Sequence, residues 1–322
     1  MATTQLQEES VESAQTETSS VWNSIGLLKI GGFMLAIAVI WRIVDQFVLG
    51  LGGTWMNIFP SKLFPFLIIM GFFWKCRSRE ITTVLGLSKE KIQAHLAFGI
   101  LIGAVLALGI DFGGTIVYAI MMDPTYPLQI HILNEGLLGY TFLFFLTNAF
   151  LEETLFRGLL INAFKVHQTQ NIAILLSAII FGLWHAGWPI INGGEGVLGQ
   201  VASMVFFTMV LGIFFGIYYQ KFSSGLSLLG PITVHTIINF VSESFKIGPE
   251  PVIQGPDLVF SNSGLMSTTF VLFFVTFIPL GLFLWKYKLE QITDLWQRVI
   301  GKENEHSGSE KMIIETTNVS EV

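Results

Sequence analysis

The chain has 322 residues, of which 52% are hydrophobic and only 12% are charged. An average soluble domain has roughly 25% charged residues, so this deficit predicts an integral membrane protein and argues against a soluble one. The net charge of −6 offers no basic surface for a nucleic acid, and the single cysteine, Cys76, excludes an intrachain disulfide.

The two ends of the chain differ in composition from the middle. The first 24 residues are polar and acidic, and they lack the positive region and short apolar stretch of a cleavable signal peptide. We predict that residues 1–24 are a disordered, acidic cytoplasmic tail. Residues 25–287 hold the apolar stretches and form one membrane domain, and residues 288–322 form a polar C-terminal tail, also predicted to be cytoplasmic.

A helix needs about 20 mostly apolar residues to cross a bilayer. Eight stretches are candidates, at residues 25–51, 63–74, 96–122, 137–164, 172–189, 197–219, 226–245 and 265–285. The second is short and the seventh is interrupted by Gly230 and Pro231, so each is predicted to be a kinked or partial span. The fold class that follows is all-α, a polytopic transmembrane helical bundle of about eight spans.

Basic residues are concentrated in alternate loops. The cluster between the second and third stretches is Lys75, Arg77, Arg79, Lys89 and Lys91, and later stretches are followed by Lys165, Lys221, Lys286 and Lys288. Because positively charged loops stay on the cytoplasmic side, eight spans place both termini in the cytoplasm. We expect a multi-pass protein of the cell membrane, surrounded by the lipid bilayer.

Several features of the first and third stretches concern packing. Arg42 and Asp45 are three apart, so they are predicted to form an ion pair, whereas Asp111 has no local partner and is expected to lie in a packed or polar cavity. The segments 99–103 and 109–113 each begin and end with glycine, and small residues four apart allow helices to approach closely. We expect these glycines to serve packing within the chain.

The fourth stretch contains "EETLFR", with Glu152, Glu153 and Arg157 in an apolar setting. Glu153 and Arg157 are four apart in the favourable order for a helical ion pair. Glu152 projects about 100° away around the helix, and one arginine cannot neutralise two carboxylates. Glu152 is therefore predicted to be an unpaired buried acid, which makes it a candidate general base.

Two later stretches carry groups that can assist such a base. "FGLWH" places Phe181 and His185 on the fifth stretch, and "HTIIN" places His235 and Asn239 four apart on the seventh. Counted along the helices, Glu152 and both histidines fall at a similar depth near the middle of the membrane. A histidine or asparagine alone often serves only helix packing, but four such residues at one depth indicate a site.

Taken in order, the three segments match the motifs EExxxR, FxxxH and HxxxN. The chain therefore resembles the CAAX-processing and bacteriocin-processing family of intramembrane proteases, also called the Abi or CAAX protease family. Its eukaryotic member is the Ras-converting CAAX prenyl protease. The resemblance covers about residues 141–241 and leaves the rest of the membrane domain outside it.

The resemblance implies an intramembrane endopeptidase that cleaves a membrane-associated or lipidated protein or peptide. In that reading Glu152, helped by His185, activates a water for attack on a peptide carbonyl. His235 and Asn239 donate hydrogen bonds to the developing oxyanion. Three further motif residues are expected to support the site structurally: Glu153, Arg157 and Phe181.

A metal is the main alternative within this reading. The family is often called a metalloprotease family, and two histidines with one glutamate are a known catalytic zinc set, which here means Glu152, His185 and His235. The sequence contains no HExxH motif, and a glutamate-activated water needs only the same residues. We favour hydrolysis without a required cofactor, with zinc as the alternative.

Two other functions use the same residues. A proton-coupled transporter would use the acids and imidazoles as a proton relay, although the chain shows no internal repeat of the kind found in many transporters. A non-catalytic scaffold or self-immunity protein would bind a membrane partner instead. Among proteolytic roles, prenyl-protein processing, bacteriocin maturation and regulatory proteolysis stay open at this point.

Overall fold

The computed structural model describes residues 26–51, 56–133, 135–192, 196–249 and 262–298. The predicted tail at 1–24 and most of the tail at 288–322 lie outside these residues. The helices are α1 (Leu27–Leu49), α2 (Phe59–Val84), α3 (Ile92–Met121), α4 (Leu138–Glu153, Thr154–Leu160 and Ile161–Lys165 in succession), α5 (Gln170–Trp184), α6 (Gly187–Asn192), α7 (Val197–Phe222), α8 (Leu229–Ser244), α9 (Ser263–Lys286) and α10 (289–298). Strands β1 (Ile130–Ile132) and β2 (Phe245–Ile247) form an antiparallel pair.

The architecture is the predicted all-α helical bundle. Six helices of the described chain are long and apolar enough to cross a membrane, with α5 and α6 counted together. The two remaining long helices are α4, which contains four charged residues, and α8, which has 16 residues. Both charge and shortness lower the apolar signal of a span, and these two helices are the ones that carry most of the predicted site.

Two predicted helix boundaries are corrected. The second stretch is not short, because α2 extends from Phe59 to Val84 and continues past its basic residues. The predicted interruption at Gly230 and Pro231 is absent, because α8 begins at Leu229 and both residues lie in its first turn. Proline is tolerated there because first-turn N–H groups have no partner within the helix.

The outward surface of the bundle is apolar, as a lipid-facing surface requires. On α9, the outward residues follow helical spacing and are more than half exposed: Val271 (60%), Val275 (61%), Ile278 (56%) and Leu282 (64%). The opposite side of α9 buries Phe273 and Phe277 against Phe214 of α7. The helix thus separates a lipid-facing stripe from a packed stripe.

The predicted close packing at the glycine pairs is confirmed and occurs within the chain. A Cβ atom on Gly103 would lie 2.9 Å from Cβ of Ile237 on α8, and one on Gly99 would lie 2.6 Å from Cβ of Thr233. Further along α3, a Cβ on Gly113 would lie 3.2 Å from Leu272 of α9. These contacts bring α3 against α8 and thereby fix the position of α8, which carries His235.

The predicted ion pair between Arg42 and Asp45 is not found in the described chain. The guanidinium of Arg42 lies over the Trp184 ring, with Cζ 5.0 Å from the ring centre. Asp45 accepts a hydrogen bond of 2.8 Å from the Ser61 hydroxyl instead. The helix has a wide turn at Val44–Leu49, so spacing based on a regular α-helix does not apply there. Asp111, which has no partner nearby in the sequence, accepts a hydrogen bond from Ser242 of α8.

Candidate active site

Glu152 is buried in the middle of α4, and only 1% of it is exposed. Its Oε1 accepts a hydrogen bond of 3.0 Å from Nε1 of Trp184. Its Oε2 has no hydrogen-bond partner in the described chain. That atom faces two imidazoles and lies 3.8 Å from Nε2 of His185 and 3.7 Å from Nε2 of His235. Three of the four predicted catalytic residues therefore meet at one point.

Glu153 has two partners, of which the sequence predicted one. Its Oε2 lies 3.2 Å from Nε of Arg157, which confirms the ion pair within α4. Its Oε1 lies 2.8 Å from Nδ1 of His235 on α8, a contact that the sequence did not indicate. Because a carboxylate only accepts, Nδ1 of His235 carries the proton and donates it. Glu153 thus fixes the orientation of His235, so that Nε2 is the atom turned toward Glu152.

His185 is oriented by the backbone. The residue follows the last residue of α5, at a break before α6, and does not lie within a continuous helix. Its Nδ1 donates a hydrogen bond of 2.9 Å to the carbonyl oxygen of Phe181. Since this contact takes the Nδ1 proton, Nε2 of the neutral ring has a free lone pair facing Glu152. Both imidazoles therefore present the same atom to the same carboxylate oxygen.

Aromatic rings enclose the charged groups. The guanidinium carbon of Arg157 lies 3.9 Å from the centre of the Phe181 ring and 5.1 Å from that of Phe215. The ring of Phe181 also packs edge-on against His185, with 4.6 Å between centres, and Phe215 of α7 stacks on His235 at 5.2 Å. Cation–π contacts stabilise a buried arginine, and the stacked rings limit the motion of both imidazoles.

A wide turn of α4 holds the charged segment in place. The stretch Thr154–Leu160 is a π-helical turn, in which each backbone hydrogen bond spans five residues instead of four, and the Phe156 carbonyl accepts from the backbone N–H of Ile161. The hydroxyl of Ser177 on α5 donates a second hydrogen bond to the same carbonyl, at 2.7 Å. Such wide turns are frequent at functional sites. Here the turn directly follows Glu152 and Glu153 and includes Arg157.

Asn239 is the one predicted catalytic residue that the structure does not join to the others by a contact. It lies one turn beyond His235 on α8, and its side chain is partly exposed. In the residues that the structure describes, its amide makes no hydrogen bond. The amide is therefore available to a ligand that occupies the site.

Two contributors were missed by the sequence reasoning. Trp184 directly precedes His185 in the "FGLWH" segment. No sequence spacing, however, identifies its indole N–H as a hydrogen-bond partner of Glu152. Phe215 lies in a continuous apolar stretch of α7 among several phenylalanines. Nothing in that stretch distinguishes the ring that stacks on His235 from those that face lipid.

The same geometry shows whether Glu152, His185 and His235 are arranged to hold a metal ion. Two imidazole nitrogens and a carboxylate oxygen have the chemistry of a zinc site. Yet over the residues given in the fold description, no group of three or more His, Cys, Asp or Glu side chains is arranged to hold a metal ion. We therefore derive no step of the chemistry through a metal.

The comparison with protein families bears on the same helices. Residues 134–241 match the family model described as type II CAAX prenyl endopeptidase Rce1-like. The match covers about a third of the chain, from α4 into α8, and includes Glu152, His185 and His235. No curated protein and no solved structure matches the chain. Residues 134–241 are therefore similar to the type II CAAX prenyl endopeptidase Rce1-like family.

Proposed function

We propose that this protein is a membrane-embedded endopeptidase in which Glu152 activates a water molecule for attack on a peptide bond. The substrate we propose is a membrane-associated or lipidated protein or peptide, in keeping with the family match. The observation that carries the proposal is the free Oε2 of Glu152, facing Nε2 of His185 at 3.8 Å and Nε2 of His235 at 3.7 Å.

Those separations suit a bridging water. Direct hydrogen bonds between nitrogen and oxygen are about 2.7–3.2 Å long, so the three atoms are too far apart to satisfy one another. Polar groups separated by more than about 3.5 Å are commonly bridged by a water molecule. A water in this gap would donate to Oε2 of Glu152 and to one imidazole, which fixes the direction of its remaining lone pairs.

The hydrolysis then proceeds in two steps. Glu152 removes a proton from the water, the water oxygen bonds to the peptide carbonyl carbon, and the carbonyl oxygen takes up the negative charge. In the second step the carbon–nitrogen bond breaks, and the leaving amine takes the proton that Glu152 had accepted. The carboxylate is thereby restored, and one water is consumed for each bond cleaved.

The oxyanion needs hydrogen-bond donors, and two side chains of α8, Asn239 and His235, are candidates. The amide of Asn239 is free to donate, whereas Nε2 of His235 donates only when the ring is doubly protonated, because Nδ1 is already bonded to Glu153. Loss of one oxyanion donor typically costs about 2.7–4 kcal/mol of transition-state stabilisation. Arg157 contacts the Glu153 carboxylate and the faces of phenylalanine rings, so we assign it to structural support.

The proposal is tested with Glu152→Gln protein in proteoliposomes, using an S-prenylated CAAX peptide as the first substrate. Without a general base, kcat/KM should fall by about 10²–10⁴-fold. Glu135→Gln is the matched control, because Glu135 is exposed next to the start of α4 and should leave cleavage unchanged. Wild-type rates in the Glu152→Gln protein would refute the proposed role.

A wider substrate search uses the same pair of proteins. Membranes containing the wild-type protein and membranes containing the Glu152→Gln variant are compared by peptidomics. Peptides that appear only with the wild-type protein identify both the substrate and the bond cleaved. This comparison tests peptidase activity without assuming that a prenyl group is recognised.

A further inference from the structure

One buried polar residue of α4 takes no part in the hydrolysis described above. Asn148 is only 8% exposed, and its side-chain amide makes no hydrogen bond within the described residues. Asparagines in membrane helices commonly hydrogen-bond to a neighbouring helix, so a packing role would leave such a bond in the structure. A buried amide without a protein partner is costly. The partner of Asn148 is therefore expected to be a ligand.

The position of Asn148 on α4 places it beside the candidate active site. Asn148 and Glu152 are four residues apart in the regular part of the helix, Leu138–Glu153, so they lie on one face. At about 1.5 Å per residue, they are separated by about 6 Å along the helix axis. Phe144, Asn148 and Glu152 are all buried at this spacing of four, so the face points into the bundle and away from lipid.

A second asparagine lies at a similar level on the neighbouring helix α8. The two helices are antiparallel, since β1 leads into the start of α4 and β2 directly follows the end of α8. Asn148 lies one turn before Glu152, and Asn239 lies one turn after His235. Because Glu152 and His235 are only 3.7 Å apart, both asparagines lie on the β1–β2 side of the site. A peptide that extends from Glu152 toward the β1–β2 pair therefore comes close to both amides.

A side-chain amide has the chemistry of a partner for a peptide backbone. Its NH2 group donates and its oxygen accepts, so it can bond to the C=O and to the N–H of a peptide group. A peptide that enters a membrane-embedded site loses its hydrogen bonds to water, and the protein has to replace them. An extended chain advances about 3.3–3.6 Å per residue, so the 6 Å between Asn148 and Glu152 corresponds to about two residues of substrate.

We propose that Asn148 binds the backbone of the substrate at a peptide group about two residues from the cleaved bond. This contact holds the chain on the β1–β2 side of the site, while Asn239 stays available to the oxyanion. Recognition through the backbone selects an extended chain and tolerates many side chains. The inference rests on the proposed peptidase function, because it places the bound peptide relative to Glu152.

Replacing one amide of the substrate by an ester tests this contact, since an ester has no N–H and its carbonyl is a weaker acceptor. The probe is a fluorescent S-prenylated CAAX peptide with four analogues, each carrying one ester at the first or second bond on either side of the cleaved bond. Binding is measured with Glu152→Gln protein in nanodiscs, so that no probe is cleaved. One analogue should bind about three- to tenfold more weakly than the all-amide peptide, as expected for one neutral hydrogen bond.

Substitution of Asn148 assigns the effect to its side chain. In the Glu152→Gln background, Asn148→Leu keeps the branched shape and removes both hydrogen-bonding groups, so the ratio of amide to ester affinity for that analogue should fall to about one. Asn148→Ser should retain part of the ratio. Thr147→Val is the matched control, because the Thr147 hydroxyl donates to the carbonyl of Leu143 in its own helix at 2.8 Å. If Asn148→Leu does not fold, Asn148→Ala gives the same test.

The outcomes separate this contact from the peptidase function. An unchanged ratio in Asn148→Leu would overturn the contact, as would equal binding of all five peptides by the Glu152→Gln protein. A loss by the same factor for all five peptides in Asn148→Leu indicates only structural support and also overturns it. Cleavage by the wild-type protein alongside any of these results leaves the peptidase intact. A ratio that depends on Asn148, without any cleavage by the wild-type protein, rejects the peptidase and leaves the peptide contact intact.

Discussion

At the scale of single residues, the hydrogen bond from Trp184 to Glu152 is the contact most directly open to test. Replacing Trp184 by phenylalanine retains an aromatic ring against Phe156 but removes the N–H that binds Oε1 of Glu152. A hydrogen bond to a charged group is worth about 1.5–3 kcal/mol, so Trp184→Phe should lower kcat by about 10–100-fold.

The control for this substitution is Trp188→Phe on α6, because Trp188 is 38% exposed and, among the described residues, no hydrogen bond joins it to Glu152. Cleavage of the same peptide by the two variants is measured side by side. An unchanged kcat in Trp184→Phe would mean that Oε1 needs no donor, and the orientation of Glu152 would then have to come from α4 alone.

Whether the activity requires a metal ion also depends on single residues, because Glu152, His185 and His235 are the candidate ligands. We expect the purified protein to contain no stoichiometric zinc by elemental analysis and to keep its activity after dialysis against a chelator, because a glutamate base needs no metal to deprotonate water. About one zinc per chain, lost together with activity on chelation and restored by added zinc, would contradict this. Glu152, His185 and His235 would then be assigned as ligands.

The candidate catalytic residues could be predicted where an ionisable or polar side chain lies at a helical spacing within an apolar stretch. Glu152, His185 and His235 stand out because polar groups are rare in apolar helices, and the structure brings all three together. The bond from Glu153 to His235 was not predictable, since it joins residues 82 positions apart. Sequence periodicity reports which residues share a helix face, whereas partners on different helices depend on how the helices pack.

At the scale of elements, the wide turn of α4 is a position where added volume can be tested. Gly158 lies in this turn, and a Cβ atom there would be 2.8 Å from the carbonyl oxygen of Leu85, a backbone atom that cannot rotate away. Gly158→Ala should therefore lower the free energy of unfolding by about 1–3 kcal/mol, the usual cost of an overpacked site. Thermal unfolding in detergent micelles measures the effect.

Gly139 provides the comparison within the same helix. A Cβ atom at Gly139 would have no neighbour within 4 Å, and the residue is exposed in the first turn of α4. Gly139→Ala should be neutral or slightly stabilising, since alanine favours helix by up to about 1 kcal/mol over glycine. Equal melting temperatures for the two variants would show that Gly158 is not a close-packing position.

The helices themselves were largely predictable, and their ends were not. Apolar stretches of sufficient length identify all of the long helices because the bilayer imposes one strong requirement on composition. The limits of α2 and α8 differ from the prediction because basic residues and proline in a sequence both predict the end of a helix. Basic residues can lie at the end of a helix near the membrane surface, and Pro231 occupies a first turn.

At the scale of the whole molecule, the beginning and the end of the described chain lie at the same end of the bundle. Gly31, near the start of α1, packs beside Ala163, near the end of α4. Lys91, before α3, lies 3.9 Å from Glu290, which follows α9. The opposite end holds the β1–β2 pair, where the N–H of Leu133 donates to the carbonyl of Ser244 at 2.8 Å.

This arrangement gives the predicted topology a direct test. Basic residues of the loops and helix ends gather at the end of the bundle that holds Lys91 and Lys165, so that end is predicted to face the cytoplasm. The other end, with the loop between α3 and β1, should face outward. Glu90 and Thr125 are exposed on these two ends and are suitable positions for a reporter cysteine.

The measurement uses a Cys76→Ala background, in which the one native thiol is removed. In intact cells a membrane-impermeant maleimide should label Thr125→Cys and should label Glu90→Cys only after permeabilisation. The reverse pattern would place the basic end outside and refute the assigned orientation. Labelling of both positions in intact cells would instead show a mixed orientation, since the two residues lie at opposite ends of α3, which crosses the bilayer once.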